Sequence, residues 1–393
     1  MAPRIFAACA IPIIAAVMSA AHAQDHTALP AHSVPPFASR PSASDLHAEE
    51  NRIWSESDDI DRRLRRQRLI HEDTDVAAYL QEMIETLYPE FGAALRVKVI
   101  DDPDLNAFAL PNGAIYVTLG MLARLENESQ LATVLAHEGA HFTHRHGYQH
   151  QLGAKSRSAV VITTGVLLAP LMGVANAASL ASMYGFSRDM EREADRVGFE
   201  RIARYGFDVE QSARVFSLLS DEAKLTKADR PVMFASHPHL TERVGNFQAL
   251  IALHPRSSAP RTLTDRFETL MRPLRVLWLE RALSRVRYAS VIHVLTREDA
   301  DARFPGHAGY FLGEAYRMRG DAGDAKRAIE SYVRASLASP RFAESFRALG
   351  VMRMKAGERA AAKHAFERYL FLAPTSIHAA FVKHYIQQME DAQ

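Results

Sequence analysis

Cysteine is all but missing from this chain. One residue in 393, Cys9, carries a thiol, and it lies inside an apolar N-terminal run that reads as a removable export signal. Without Cys9 the chain forms no disulfide in an oxidising compartment. It also holds no metal by thiolate, which leaves imidazole and carboxylate as the available ligands. An excess of either charge is missing as well: 47 Lys and Arg stand against 46 Asp and Glu, for a net charge of +1. That balance points away from nucleic acid or an anionic surface as the main partner. With 48% hydrophobic residues the chain has the composition of a folded protein, and its length suits two or three domains of about 100–200 residues each.

The N-terminus has the layout of a signal peptide over residues 1–23. Arg4 supplies the positive start, Ile5 to Val17 the apolar run, and Ala21-His22-Ala23 the small-x-small pattern, with cleavage expected before Gln24. The run is short for a membrane span, and Cys9 lacks the position and small-residue context of a lipidation box. Export without cysteine suits a bacterial periplasm. Residues 24–51, with Pro30, Pro35, Pro36 and Pro41 among Ser, Ala and His, read as a flexible lead-in. Ile60 to Ile70 carries Arg62, Arg63, Arg65, Arg66 and Arg68 and reads as a solvated helix face.

The chain is organised around Leu131-Ala-Thr-Val-Leu-Ala-His137-Glu138-Gly139-Ala140-His141. His137 and His141 are four apart, so on a helix both imidazoles leave one face, one turn apart, at the spacing that lets two histidines share one Zn²⁺. Glu138, beside the first, is placed to act on a water activated by the metal without binding the metal itself. Asn127-Glu-Ser-Gln130 makes an N-terminal cap for this helix. Upstream, Arg96 to Ile100 alternates as a strand, and Asn106 to Thr118 reads as two strands about an Asn112-Gly113 turn. Such a strand pair either offers an edge to an extended peptide or is simply structural. The five residues from His137 to His141 also arise by chance on buried helices, so a third ligand is needed, because catalytic zinc keeps three protein ligands and an open position. The best source is Ser187-Arg-Asp-Met-Glu191-Arg-Glu193-Ala-Asp195. There Glu191 and Asp195 share a helix face: Glu191 is the candidate ligand, and Asp195 the acceptor for the spare N–H of a ligating histidine, His137 first. Glu193 points elsewhere on that helix. Taken alone, the segment is equally a charged surface helix.

His137-Glu-Gly-Ala-His141 followed by Ser187 to Asp195 resembles the HtpX-type and CaaX-prenyl-protease-type zinc metallopeptidases, which pair an HExxH helix with a later ExxxD helix. Ser236-His237-Pro238-His239-Leu-Thr-Glu-Arg243 resembles the H-P-x-x-x-x-R segment found downstream in that family. The whole arrangement is most similar to its BepA-like periplasmic members. The resemblance implies a gluzincin fold and one Zn²⁺ per chain held by His137, His141 and Glu191, with Glu138 as general base and Asp195 behind the ligands. It also implies that His237 and Arg243 lie near the metal. Arg243 is then a candidate to stabilise the oxyanion, and His237 either does the same or occupies the open metal position and silences the enzyme. His144, His146 and His150 continue the motif helix off the ligand turn and read as non-ligands.

Charge is missing once more between Arg157 and Arg188. Thr163, Thr164, Gly165, Pro170, Gly173 and Asn176 interrupt this apolar stretch. A single span would leave Glu191 across the membrane from the histidines, so two short buried helices over the cleft are expected, with a peripheral membrane contact through 158–187 as the alternative. Further on, Pro340 and Pro374 are 34 apart, the tetratricopeptide period. Phe346, Leu349, Gly350, Ala362 and Phe366 fall at that repeat's packing positions. A looser preceding unit uses Leu312, Gly313, Tyr316, Ala325 and Ile329, with about three extra residues before Pro340. The expected fold is α+β but mainly α: a metallopeptidase domain with a small sheet over residues 52–260, then a helical linker and repeat domain over 261–393. The expected function is a periplasmic zinc endopeptidase whose clients, by resemblance, are misassembled outer-membrane or envelope proteins. The repeats would contact clients or an assembly machine. The competing class is a chaperone-like scaffold with a blocked site.

Overall fold

The computed structural model describes residues 34–157, 186–226, 240–254 and 265–391, together with His237 and Arg261. The expected signal peptide, the first part of the expected lead-in, residues 158–185 of the uncharged stretch, and Pro238 and His239 lie outside the described residues. Pro35–Gln393 forms one unit.

Helix α1 (Ala48–Arg66) and helix α2 (Thr74–Leu87) precede a three-stranded sheet of β1 (Arg96–Ile100), β2 (Ala107–Ala109) and β3 (Ala114–Thr118), in the order β1-β3-β2. β3 runs parallel to β1 and antiparallel to β2. The β2–β3 turn works because Gly113 takes φ +81°, and a Cβ there would stand 2.2 Å from the Ala94 carbonyl oxygen. Leu110 N–H donates to Ala114 O and Gly113 N–H to Leu110 O, which closes the hairpin expected from Asn-Gly. The lead-in differs from expectation between residues 34 and 51. Leu46 and Glu50 are buried and α1 starts at Ala48. Phe37 N–H donates to Thr143 O, while the Phe37 ring packs on Trp54 and Phe142. Residues 34–51 thus gain apolar contact and are no spacer.

Helix α3 (Leu119–Arg124) leads into α4 (Glu128–Thr143), which carries His137 to His141 and whose sixteen residues are all buried. The Asn127 side chain accepts the Gln130 N–H, satisfying one free donor of the first turn. Then follow α5 (His146–Arg157), α6 (Arg188–Arg204), α7 (Glu210–Thr226) and α8 (Leu240–Leu253). Helices α4 and α6 approach closely at Gly198, where a Cβ would meet His137 N at 3.1 Å and the Ala136 carbonyl carbon at 3.3 Å. Those atoms are helix backbone and yield little. Gly198→Ala is expected to push α6 off α4 by a few tenths of an ångström and cost about 1–3 kcal/mol in stability. It is also expected to weaken zinc uptake, because Glu191 and Asp195 ride on α6. Thermal melting and a chelator competition check both, and unchanged zinc affinity would uncouple the helix spacing from the site.

Helix α9 (Asp265–Ser284) packs on α3 and is pinned by buried Trp278, whose indole N–H donates to Pro103 O at 3.0 Å. After α10 (Tyr288–Leu295) and the single turn α11 (Ala300–Arg303) come two antiparallel helix pairs, α12 (Ala308–Arg319) with α13 (Asp324–Ala338) and α14 (Ala343–Lys355) with α15 (Arg359–Leu372), then α16 (Ala379–Asp391). One hydrophobic core runs from Val76 on α2 to Ala315 on α12. The repeat register differs from expectation in the first pair. Ala325 is exposed, and the buried small and large residues are Ala328 and Tyr332, 34 residues before Ala362 and Phe366. Gly313 meets the Tyr332 ring, and Gly350 the Phe366 ring, each at 2.5 Å from a built Cβ. The three extra residues therefore fall between Gly313 and Ala328, around a turn with left-handed Gly320 and Gly323, rather than before Pro340.

Candidate metal centre

The i, i+4 spacing on α4 sets the His137 and His141 Nε2 atoms 3.0 Å apart. α6, capped by the Ser187 hydroxyl accepting from Met190 N–H, crosses α4 and presents Glu191 to both. Its Oε2 lies 3.5 Å from His137 Nε2 and its Oε1 3.6 Å from His141 Nε2. His237 Nδ1 is 3.0 Å from Glu191 Oε1 and 3.3 Å from His137 Nε2. Each of these four buried residues offers one ligand atom, and the four atoms lie within 4.8 Å of one another. Glu138 stands at the rim of the group, with Oε1 3.3 Å from His237 Nε2.

The residues fit a metal by their own chemistry. Both carboxylate oxygens of Glu138 are buried without a hydrogen bond, a costly state for an anion unless a cation or the reaction needs it. The donors are imidazole nitrogen and carboxylate oxygen with no sulfur, a set suited to Zn²⁺.

Behind the ligands, Asp195 Oδ1 lies 3.0 Å from His137 Nδ1, so it accepts the N–H that leaves Nε2 free toward the metal. Arg243 on α8 is 2% exposed and lies over the Phe216 ring of α7 at 4.3 Å. Its guanidinium is committed to both carboxylates, at 2.6 and 2.9 Å from the Asp195 oxygens and 2.6 Å from Glu191 Oε2. The guanidinium balances two buried anions and also stands 3.1 Å from both ring nitrogens of His137.

Charges in the metal-free centre are strongly shifted. Burial and Arg243 both oppose protonation of His137, yet hydrogen bonds to Asp195 and Glu191 push its pKa up to about 9. Burial and the neighbouring His137 hold His141 well below its usual value. Glu191 and Asp195 stay ionised against their burial, chiefly through Arg243. Zinc competes with protons for these imidazole nitrogens, so affinity falls as pH is lowered.

His146 stands outside the ligand group, as read, but it is not on the motif helix. The motif helix stops at Thr143, and Arg145 takes a left-handed φ of +58°, so His146 does not continue α4. It turns back, with Nδ1 2.9 Å from His141 Nδ1 and Nε2 3.1 Å from Glu193 Oε2. Burial pushes the His146 pKa down to about 4 in spite of Glu193. Phe186, at the end of the uncharged stretch, is buried and stacks on the His141 ring at 3.8 Å. Among the described residues no helix is long and apolar enough to cross a membrane.

Residues 74–251 match the model of peptidase family M48. The beta-barrel assembly-enhancing protease of Escherichia coli K12 is 30% identical over 152 residues, covering 36% of this chain and 31% of that protein. A Vibrio cholerae protein provisionally given the same name is 34% identical over 157 residues, or 37% of this chain and 32% of that one. The mitochondrial metalloendopeptidase OMA1 of Saccharomyces cerevisiae is 30% identical over 165 residues, or 39% of this chain and 46% of that one. The matched part thus spans about a third of the length of the bacterial relatives. These similarities agree with the resemblance carried by the three motifs.

Proposed function

We propose that this chain, whose residues 74–251 form a metallopeptidase domain of family M48, is a periplasmic zinc endopeptidase acting on misassembled outer-membrane or envelope proteins. The observation that carries the reading is the buried group of His137, His141, Glu191 and His237 with an unbonded Glu138 carboxylate at its edge. The client class follows the family resemblance of the motifs, and the name of the bacterial relatives, beta-barrel assembly-enhancing protease, accords with it.

His137, His141 and Glu191 hold the metal in this reading. A bound Zn²⁺ would supply Lewis acidity at this point. Glu138 accepts a proton from the attacking water and passes it to the leaving amine. Asp195 holds His137 in the tautomer with Nε2 free, and Arg243 keeps Asp195 and Glu191 ionised and fixed. Phe108 faces Tyr116 across the hairpin, and the register through Asn106 and Thr118 turns the peptide groups of Ala107 and Ala109 away from β3. Among the described residues no strand pairs with that side of β2, and an extended substrate would add there as a strand. The helix pairs α12–α15 and α16 supply a surface for clients or for an assembly machine.

A second reading, a chaperone-like scaffold with a blocked site, is favoured by one observation: His237 Nδ1 already sits among the ligand atoms. Metal analysis and casein cleavage by the protein lacking residues 1–23 separate the two. Endopeptidase function expects one zinc per chain and cleavage that stops with a chelator and returns with zinc. Zinc without cleavage, in a variant lacking the His237 imidazole as well, would favour the scaffold.

A further inference from the structure

We propose that His146 and Glu193 form a positioning relay for the metal ligand His141, a hydrogen-bonded chain from the metal site to the protein surface. The inference rests on the reading of His137, His141 and Glu191 as ligands. His141 presents Nε2 to the group, 3.0 Å from His137 Nε2, and Nδ1 to His146, 2.9 Å away. A neutral imidazole carries one N–H. If His141 Nε2 gives its lone pair to a metal, the hydrogen is on Nδ1, and His146 Nδ1 is the atom there to accept it. The hydrogen of His146 is then on Nε2, and Glu193 Oε2 lies 3.1 Å from that nitrogen. The proton positions are thus fixed one after another, and every donor along the chain meets an acceptor. Both hydrogen bonds polarise His141 in the sense that enriches Nε2 in electron density, as a carboxylate behind a ligating histidine does.

The backbone is arranged for this contact. On a continued α-helix, residue 146 would be turned roughly 140° away from residue 141, at about 100° per residue. The left-handed φ of +58° at Arg145 breaks the helix instead. Arg145 is held in that conformation by a buried ion pair with Glu50 on α1, by donating to Pro35 O at 3.2 Å, and by its position over the Phe37 ring at 4.7 Å. Phe186 stacks on the opposite element of the pair, the His141 ring, at an interplanar angle of 14°, which leaves hydrogen bonding through His146 to set the rotation about Nδ1. His146 is 0% exposed while the Glu193 side chain is 43% exposed, so the relay ends at solvent. The two ligating histidines would then be oriented differently: His137 by a buried carboxylate paired with Arg243, His141 through a second imidazole and a half-exposed carboxylate.

The test measures zinc affinity by competition with a chromogenic chelator in wild type, His146→Ala, His146→Gln and Glu193→Ala. Melting of each metal-free protein and the visible spectrum of its Co²⁺ form are recorded alongside. His146→Ala is expected to weaken zinc by about 10–100-fold and to alter the Co²⁺ bands. His146→Gln is expected to recover most of the loss, since its amide oxygen accepts from His141 and its amide N–H donates to Glu193. Glu193→Ala is expected to fall between wild type and His146→Ala. Zinc affinity in His146→Ala within about twofold of wild type overturns the relay. It is also overturned if the Ala and Gln variants are equally weak and their metal-free melting falls alike, since that marks a packing role. A wild type that takes up no zinc overturns the ligand reading itself and the relay with it, and that outcome is distinct because it appears before any variant is compared.

Discussion

Glu138→Gln is expected to bind zinc like the wild type, melt at the same or a slightly higher temperature, and cleave casein about 10²–10⁴-fold more slowly. The glutamine has the same shape, so the helix and its packing are retained. Its amide cannot take the proton that a carboxylate takes from water, so the step that makes the nucleophile is lost. The stability half of the expectation follows from burial. The Glu138 side chain is 1% exposed, and neither of its oxygens is hydrogen-bonded. An anion kept in such a place lowers stability unless chemistry needs it, so neutralising it removes a cost. A structural role for Glu138 predicts the opposite pattern, with a falling melting temperature and intact cleavage. Residual cleavage above about a hundredth of the wild-type rate, at equal zinc content, would remove Glu138 from the role of base.

The sequence disclosed those parts of the site whose geometry follows from helical periodicity. His137 and His141, and likewise Glu191 and Asp195, are four apart, and a regular helix places each pair on one face whatever surrounds it. The Asn-Gly hairpin and the 34-residue repeat are local in the same sense. The parts that were not legible depend on a break in periodicity or on contacts between distant segments. His146 looks like a bystander when α4 is extended past residue 143, and it becomes a neighbour of His141 only because Arg145 turns left-handed. That turn is held by Glu50 and Pro35, about 95 residues or more earlier in the chain, where a proline-rich stretch read as a spacer. The clue that could have found it is the Arg145-His146 pair directly after a helix with no C-terminal glycine: some other residue had to end it. Arg243 was legible only in part: a motif places an arginine near the metal but is silent on its partners, and in the fold two buried carboxylates on α6 pair with the guanidinium. In the first repeat, a count from Pro340 put the insertion in the wrong turn, because proline marks only one end of the unit.

His237→Ala is expected to raise casein cleavage by about 10–100-fold, with self-cleavage on storage, while zinc content stays near one per chain. The expectation comes from where the imidazole sits. Nδ1 is 3.0 Å from Glu191 Oε1 and 3.3 Å from His137 Nε2, and Nε2 is 3.3 Å from Glu138 Oε1. The ring therefore stands between the ligand atoms and the base, in the space a water would need to reach both. Four protein donors would leave a bound metal no open position, and catalysis needs one. An enzyme held this way works only in the fraction of time the ring is withdrawn. If that fraction is about 1–10%, removing the ring raises the apparent rate by its inverse, which gives the expected factor. Zinc is retained because His137, His141 and Glu191 remain, with Asp195 and Arg243 still fixing two of them. The contrasting role, a donor that stabilises charge in the transition state, predicts a fall of about 10²–10³-fold for the same substitution. The sign of the change decides between them, and cleavage within about twofold of wild type at equal zinc content would rule out both roles. A double variant with Glu138→Gln, silent whatever occupies position 237, shows that any cleavage gained by His237→Ala comes from this site.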